Sequence, residues 1–162
     1  MVKKKVPQAI AAVAMMLLAS FAVVFVTSTP AQAATCSGTS CVGKSPRTTG
    51  CDRDGERVRS IYFDEGYRSL SLVRSKACRA MWALYVNNNS FGPNCWTWSE
   101  KLTVRRQLWT PYGWATHSTG SKTVSADCVS RQWTTMLLNT ADDRHRAELT
   151  WPGGTKRTTW FG

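Results

Sequence analysis

The longest apolar stretch of the chain, Ile10 to Val26, follows the basic start Met1-Val-Lys-Lys-Lys5 and leads into Thr-Ser-Thr-Pro-Ala-Gln-Ala, ending at Ala33. A basic start, an apolar middle and a small-x-small ending (Ala31, Gln32, Ala33) have the order of a secretory signal peptide. Residues 1–33 are therefore read as a leader to be removed, and 34–162 as one exported domain. The competing reading is a retained anchor, since the run lies near the lower edge of the about 17 to 25 residues that span a bilayer. The Ala-Gln-Ala ending favours removal, so membrane contact is expected only through an uncleaved leader.

Behind the leader, Ala34 to about Asp54 is rich in Ser, Thr, Gly, Pro and Cys and shows no apolar periodicity, which predicts a loop segment. Val58, Ile61 and Phe63 then precede a turn at Asp64-Glu65-Gly66, and Leu70, Leu72 and Arg74 alternate with Ser69, Ser71 and Val73. Period two predicts half-buried strands. "CRAMWALYVN" fits a buried strand or a short helix, and its Trp, Tyr and Val favour the strand. A turn cluster follows at 87–93, then a run from Trp96 to Leu108 in which Leu102, Val104 and Arg106 alternate. Pro111-Tyr-Gly113 and Ser118-Thr-Gly120 read as turns around a short stretch at Trp114. Lys122 to Cys128, Gln132 to Leu138 and Arg146 to Trp151 are further runs, with a polar corner at Ala141-Asp-Asp-Arg-His145. Pro152-Gly-Gly154 predicts a terminal hairpin between Arg146–Trp151 and Thr155–Phe161. Short runs with turn signals about every ten residues predict an all-β fold, a small sandwich or partly open barrel with a loop-rich N-terminal segment.

Removing 33 of 162 residues leaves 129, one domain's worth of chain. Such a chain buries roughly two-thirds of its unfolded surface, enough for a core of its own. The six cysteines, Cys36, Cys41, Cys51, Cys78, Cys95 and Cys128, all follow the leader. An even number in an exported chain predicts three disulfides. A structural zinc site needs two close pairs of ligands, and no second close pair follows Cys36 and Cys41, while His117 and His145 stand in no metal spacing. No metal is expected. Cys95 and Cys128 pair most simply with each other, which leaves two bonds for the four cysteines of the first half.

Charge narrows the choice of partner. Without Lys3, Lys4 and Lys5 the 21 cations fall to 18 against 10 acidic residues, near +8, and thirteen of the 18 are arginine. Arginine's planar fork suits phosphate and carboxylate, and a surplus of this kind makes anion binding sensitive to salt. The plain alternative is a soluble basic protein from a GC-rich genome. Seven of the eight tryptophans follow Cys95, either as core or as a stacking face for sugars or another ligand. "VRRQLWTPYGW" sets Arg105 and Arg106 beside Trp109, Tyr112 and Trp114. Interleaved cations and rings suit a phosphate polymer. An exported protein meets the teichoic-type phosphates and sugars of a cell envelope before it meets nucleic acid, so nucleic acid is not the expected partner.

Catalytic chemistry is sparse. There is no G-x-S-x-G, P-loop or H-E-x-x-H, no cofactor motif and no assignable catalytic residue. Asp142-Asp143 with His145 comes nearest, but adjacent aspartates in a polar stretch read as a turn.

"TCSGTSCVGKSP", "GCDRDGERV" and "LSLVRSKACRAMWALYV" resemble a small secreted actinobacterial family, domain of unknown function 2690. Its members look like C-x-G-x-x-C-x-G-K-[DN]-P, then G-C-x-x-D, then an E-L-R-Y-S-like strand leading into C-R-A-A-W-A. The match falls on Cys36, Gly38, Cys41, Gly43, Lys44, Pro46, Gly50, Cys51, Asp54, Leu72, Ser75, Cys78, Arg79, Ala80, Trp82 and Ala83, and "WTTMLLN" resembles a later W-T-x-M stretch. Ser45, Ser71 and Val73-Arg74 depart from it, and Cys95 and Cys128 look like additions. The resemblance implies a secreted β-rich fold and no activity. Together these readings predict a monomeric, non-catalytic secreted domain that binds anionic cell-surface or extracellular material. The alternative is a secreted enzyme or enzyme inhibitor with an aromatic groove.

Overall fold

Successive strand residues point to opposite sides of a sheet, and in "RSLSLVRS" and "AMWALYVN" both sides are apolar or small. The computed structural model describes residues 33–88, 99–125 and 130–162, apart from the side chain of Ser125. In it those two stretches are β2 (Arg68–Ser75) and β3 (Ala80–Asn87), buried on both faces. With β1 (Glu56–Phe63), β6 (Ser130–Trp133) and β7 (Leu137–Leu138) they form an antiparallel sheet ordered β1-β2-β3, with β6 and β7 both against β3. The second sheet is ordered β5-β4-β8-β9, from β4 (Ser99–Thr110), β5 (Gly113–Ser125), β8 (Asp143–Trp151) and β9 (Gly154–Arg157).

Leu70, Leu72, Met81, Ala83 and Tyr85 of the first sheet meet Leu102, Val104, Val124, Ala147 and Leu149 of the second in one core. Each fully buried leucine contributes about 1.5–3 kcal/mol. The sheets pack face to face and do not close on each other, so the architecture is the sandwich of the two predicted alternatives.

The far side of the first sheet is covered by the N-terminal segment, which has a single short 3-10 helix at Gly38–Cys41. Disulfides Cys36–Cys41 and Cys51–Cys78 pack there with Val73, Ala80, Trp82 and Met136. Both bonds lie within the first half, as expected, and no described cysteine is free. Cys95 and Cys128 lie outside the described residues, as do Trp96 and Trp98. Gly43 N donates to Met136 O and Met136 N to Lys44 O, which ties the cap to the end of the chain's second half. The Asp54 carboxylate accepts from Ser75 Oγ at 2.5 Å and Ala77 N at 3.0 Å, fixing the β2–β3 turn.

Two predicted turns are strand. Ser118-Thr-Gly120 lies inside β5, whose pairing with β4 runs from Gly113 to Ser125 with one irregularity between Arg106 and Gln107. Gly120 is there for close approach: a Cβ would meet Thr135 Oγ1 at 2.9 Å. The polar corner is confined to Ala141 and Asp142, while Asp143 and His145 belong to β8 and are buried. The terminal hairpin forms as predicted, with Trp151 opposite Gly154. After β9 the chain continues along β8, Thr158 N donating to Ala147 O and Phe161 pairing with His145. Among the described residues no helix is long and apolar enough to cross a membrane.

Candidate functional site

The alternation of β8 decides the site. Asp143, His145, Ala147 and Leu149 turn inward, which leaves Arg144, Arg146 and Glu148 on the outer face of the second sheet. Register sets Gln107 across from Arg144, Arg105 across from Arg146 and Thr103 across from Glu148. On the other flank of β8, Arg157 stands opposite Glu148.

Three arginines converge on that one carboxylate. Arg105 forks onto Glu148 at 3.2 and 3.1 Å, Arg146 Nε reaches it at 2.6 Å and Arg157 Nε at 3.7 Å. Burial pushes the Glu148 carboxyl up, but the hydrogen bond from Arg105 and the charge of Arg146 outweigh it and hold it below its ordinary value. Among the described residues Arg144 meets no carboxylate: its Nε donates to Gln107 Oε1 at 2.8 Å. Its guanidinium lies 4.3 Å from the Trp114 ring centre and 4.6 Å from that of Trp160, and Arg146 lies 4.3 Å from Trp160. Trp109 packs edge-on against Trp114 at 5.4 Å. The result is a continuous row of rings and guanidinium groups, Trp109, Trp114, Arg144, Trp160 and Arg146.

The β4–β5 hairpin presents the open end of this row. Thr110 Oγ1 donates to Gly113 O at 2.7 Å and Gly113 takes φ 107°, so Pro111 and Tyr112 form a tight tip with Tyr112 fully exposed. Trp109 is 64% and Trp114 37% exposed.

Of the residues predicted for a ligand face, the structure thus brings Arg105, Trp109 and Trp114 together, with Tyr112 at the adjoining tip. Arg106 is not among them. It points inward, 9% exposed, and forks onto buried Asp143 at 2.8 and 3.0 Å. Adjacent residues of a strand face opposite ways, so Arg105 and Arg106 were never one patch. Arg144, Arg146 and Trp160 were missed; the signal was the alternation of "DRHRAEL", masked by reading its start as a corner. The expectation that tryptophan fills the core holds for Trp82 alone among the described ones, since Trp133, Trp151 and Trp160 are half-buried.

Asp143 and His145, the nearest approach to a catalytic pair, are tied up inside the sandwich. Burial pushes the Asp143 carboxyl up, and hydrogen bonds from Arg106 and Thr140 more than reverse this. His145 Nε2 donates to Leu138 O at 3.0 Å, and burial lowers its imidazole to about 4. His117 is an exposed residue of β5. The four described cysteine sulfurs lie within 4.8 Å of one another, close enough in outline for a metal cluster, but they are joined in two disulfides.

Comparison with known proteins adds a family and little more. No curated protein matches the chain. A solved endonuclease/exonuclease/phosphatase from Beutenbergia cavernae DSM 12333 is similar over 66% of this chain at 12% identity and a TM-score of 0.37. The chain spans 27% of that protein's length. A family model matches residues 39–150, from the stapled segment through β8. The chain therefore belongs to the protein family of unknown function DUF2690.

Proposed function

We propose that the protein is exported and binds anionic envelope or extracellular polymer on the outer face of its second sheet. The observation that carries this reading is Arg144, held between Trp114 and Trp160 and meeting no carboxylate among the described residues, on a face where Arg105, Arg146 and Arg157 converge on Glu148. Local cation surplus attracts an anionic chain, and rings at the same spacing give its sugars or backbone a surface to lie on. The family motif supports a scaffold role for the other face. Cys36, Cys41, Cys51, Cys78 and Asp54 secure the cap.

Binding of a teichoic-type phosphate polymer is expected to weaken steeply as salt rises, because each neutralised phosphate releases counterions. Trp114→Ala and Trp109→Ala, shown folded by circular dichroism, should each weaken it by about 1–3 kcal/mol. Folded variants that bind as well as the parent, or binding indifferent to salt, would refute the reading. Disulfides fit an oxidising compartment. Export with cleavage after Ala33 predicts an intact mass that begins at Ala34, and a full-length species held in membrane would contradict it.

A further inference from the structure

The sulfurs under the stapled cap stand closer together than two separate staples need. Cys51 Sγ lies 3.7 Å from Cys36 Sγ and 4.0 Å from Cys41 Sγ, so the two disulfides touch. They differ in exposure: Cys36 is 8% exposed, while Cys41, Cys51 and Cys78 are fully buried. They differ also in what they join. Cys36, Cys41 and Cys51 all belong to the cap, whereas Cys78 sits in the β2–β3 turn, so Cys51–Cys78 is the bridge from cap to sheet.

A disulfide opens when a thiolate attacks one of its sulfurs and the other leaves as a thiolate. Burial closes Cys51 and Cys78 to an external thiol in the folded chain, and Cys36 is the sulfur such a thiol meets first. Attack there forms a mixed disulfide on Cys36 and expels Cys41 as a thiolate, which already touches Cys51. Contact of that kind replaces an encounter between molecules by a step within one.

We propose that the two touching disulfides form a thiol–disulfide exchange site for a dithiol reductant, in which Cys36 takes the external thiol and Cys41 passes the exchange on to Cys51. The Cys41 thiolate bonds to Cys51, the Cys51–Cys78 bond breaks, and Cys78 leaves as a thiolate that takes a proton from water. The reductant's second thiolate then attacks the reductant's own sulfur in the mixed disulfide, which releases Cys36 as a thiol and closes the dithiol into a disulfide. The dithiol loses two electrons, and the protein exchanges its two bonds for one, Cys41–Cys51, with Cys36 and Cys78 as thiols. A bond from cap to sheet thus becomes a bond inside the cap. The β2–β3 turn is left with hydrogen bonds to the cap, such as Gly38 N to Cys78 O at 2.8 Å. The site stands independently of the polymer-binding face.

Limiting dithiothreitol on the oxidised full chain, followed by acid quench, alkylation and peptide mapping, tests it. Mapping keeps these four cysteines apart from Cys95 and Cys128. The first reduced product should carry Cys41–Cys51 with label on Cys36 and Cys78. A first product with Cys51–Cys78 intact and label on Cys36 and Cys41 overturns the proposal. Serine at both Cys36 and Cys41 removes the relay, so reduction of Cys51–Cys78 should slow by about tenfold or more, even though the cap has lost a bridge. Reduction as fast as in the parent overturns it as well. Cys36→Ser alone needs no reductant: its Cys41 thiol should exchange with Cys51, so that alkylation labels Cys78 besides Cys41. Label confined to Cys41 in the folded variant counts against the relay.

Discussion

His145 shows how far one residue's environment departs from what its neighbours in sequence suggest. Between Arg144 and Arg146 it reads as part of a solvated turn, yet it is fully buried, with Nδ1 lacking any partner. Burial lowers its imidazole from 6.5 to about 4, so between those values the unfolded chain binds a proton that the folded protein refuses. Stability therefore falls as pH drops through this window, by about 3 kcal/mol from this group. Asp143 and Glu148, held below their ordinary values, are lost only on further acidification. Urea midpoints measured from pH 7 to pH 4 should decline accordingly, and a flat profile over that range would contradict the buried neutral imidazole. The period-two rule already sends Arg105 and Arg106 to opposite faces. What no local pattern reveals is that Asp143, 37 residues on, waits inside to neutralise Arg106.

At the level of elements, β1, β2 and β3 were legible as strands, β1 and β2 from their alternation around the Asp64-Glu65-Gly66 turn and β3 from its Trp, Tyr and Val, but β2 is buried on both faces where period two predicted one, because the stapled cap covers its second side. β5 was not legible, because "GWATHSTGSKTVS" is an edge strand with one covered face and few apolar residues to mark it. It is held by its ladder to β4, and Gly120 mimics a turn signal while serving a close contact. The stapled cap was legible from its cysteines, and its two bonds differ in the chain they close. Cys51–Cys78 spans 27 residues and Cys36–Cys41 spans 5. Loop-closure entropy then assigns about 3.5 kcal/mol to the first and about 2 kcal/mol to the second. Paired serine substitutions at each bridge, compared by denaturant unfolding, should show the larger loss for Cys51 and Cys78. The reverse order would mean that the small loop is stabilised by its packing on Met136 and Ala80 more than by closure.

For the molecule as a whole, the spacing of apolar runs and turns predicted the β fold and composition a surplus of cations, but the distribution of charge over its faces depended on which strands became neighbours. Glu148 collects arginines from β4, β8 and β9, and that convergence exists only once the second sheet is assembled. The layer made by β2 and β3 is unlike the rest, with the stapled cap on one side and the second sheet on the other. Solvent deuterium can reach its amides only when one cover lifts, whereas among the described residues β5 stands at the edge of its sheet. In exchange experiments the amides of Leu72, Ala83 and Tyr85 should thus be the last to label, opening at a cost close to that of global unfolding. Those along β5 should label sooner. Reducing the disulfides frees only the outer cover, so the same amides should remain the slowest, at a lower protection, for as long as the chain stays folded. An exchange pattern in which β5 outlasts β2 and β3 would mean that the sandwich opens first through its middle layer.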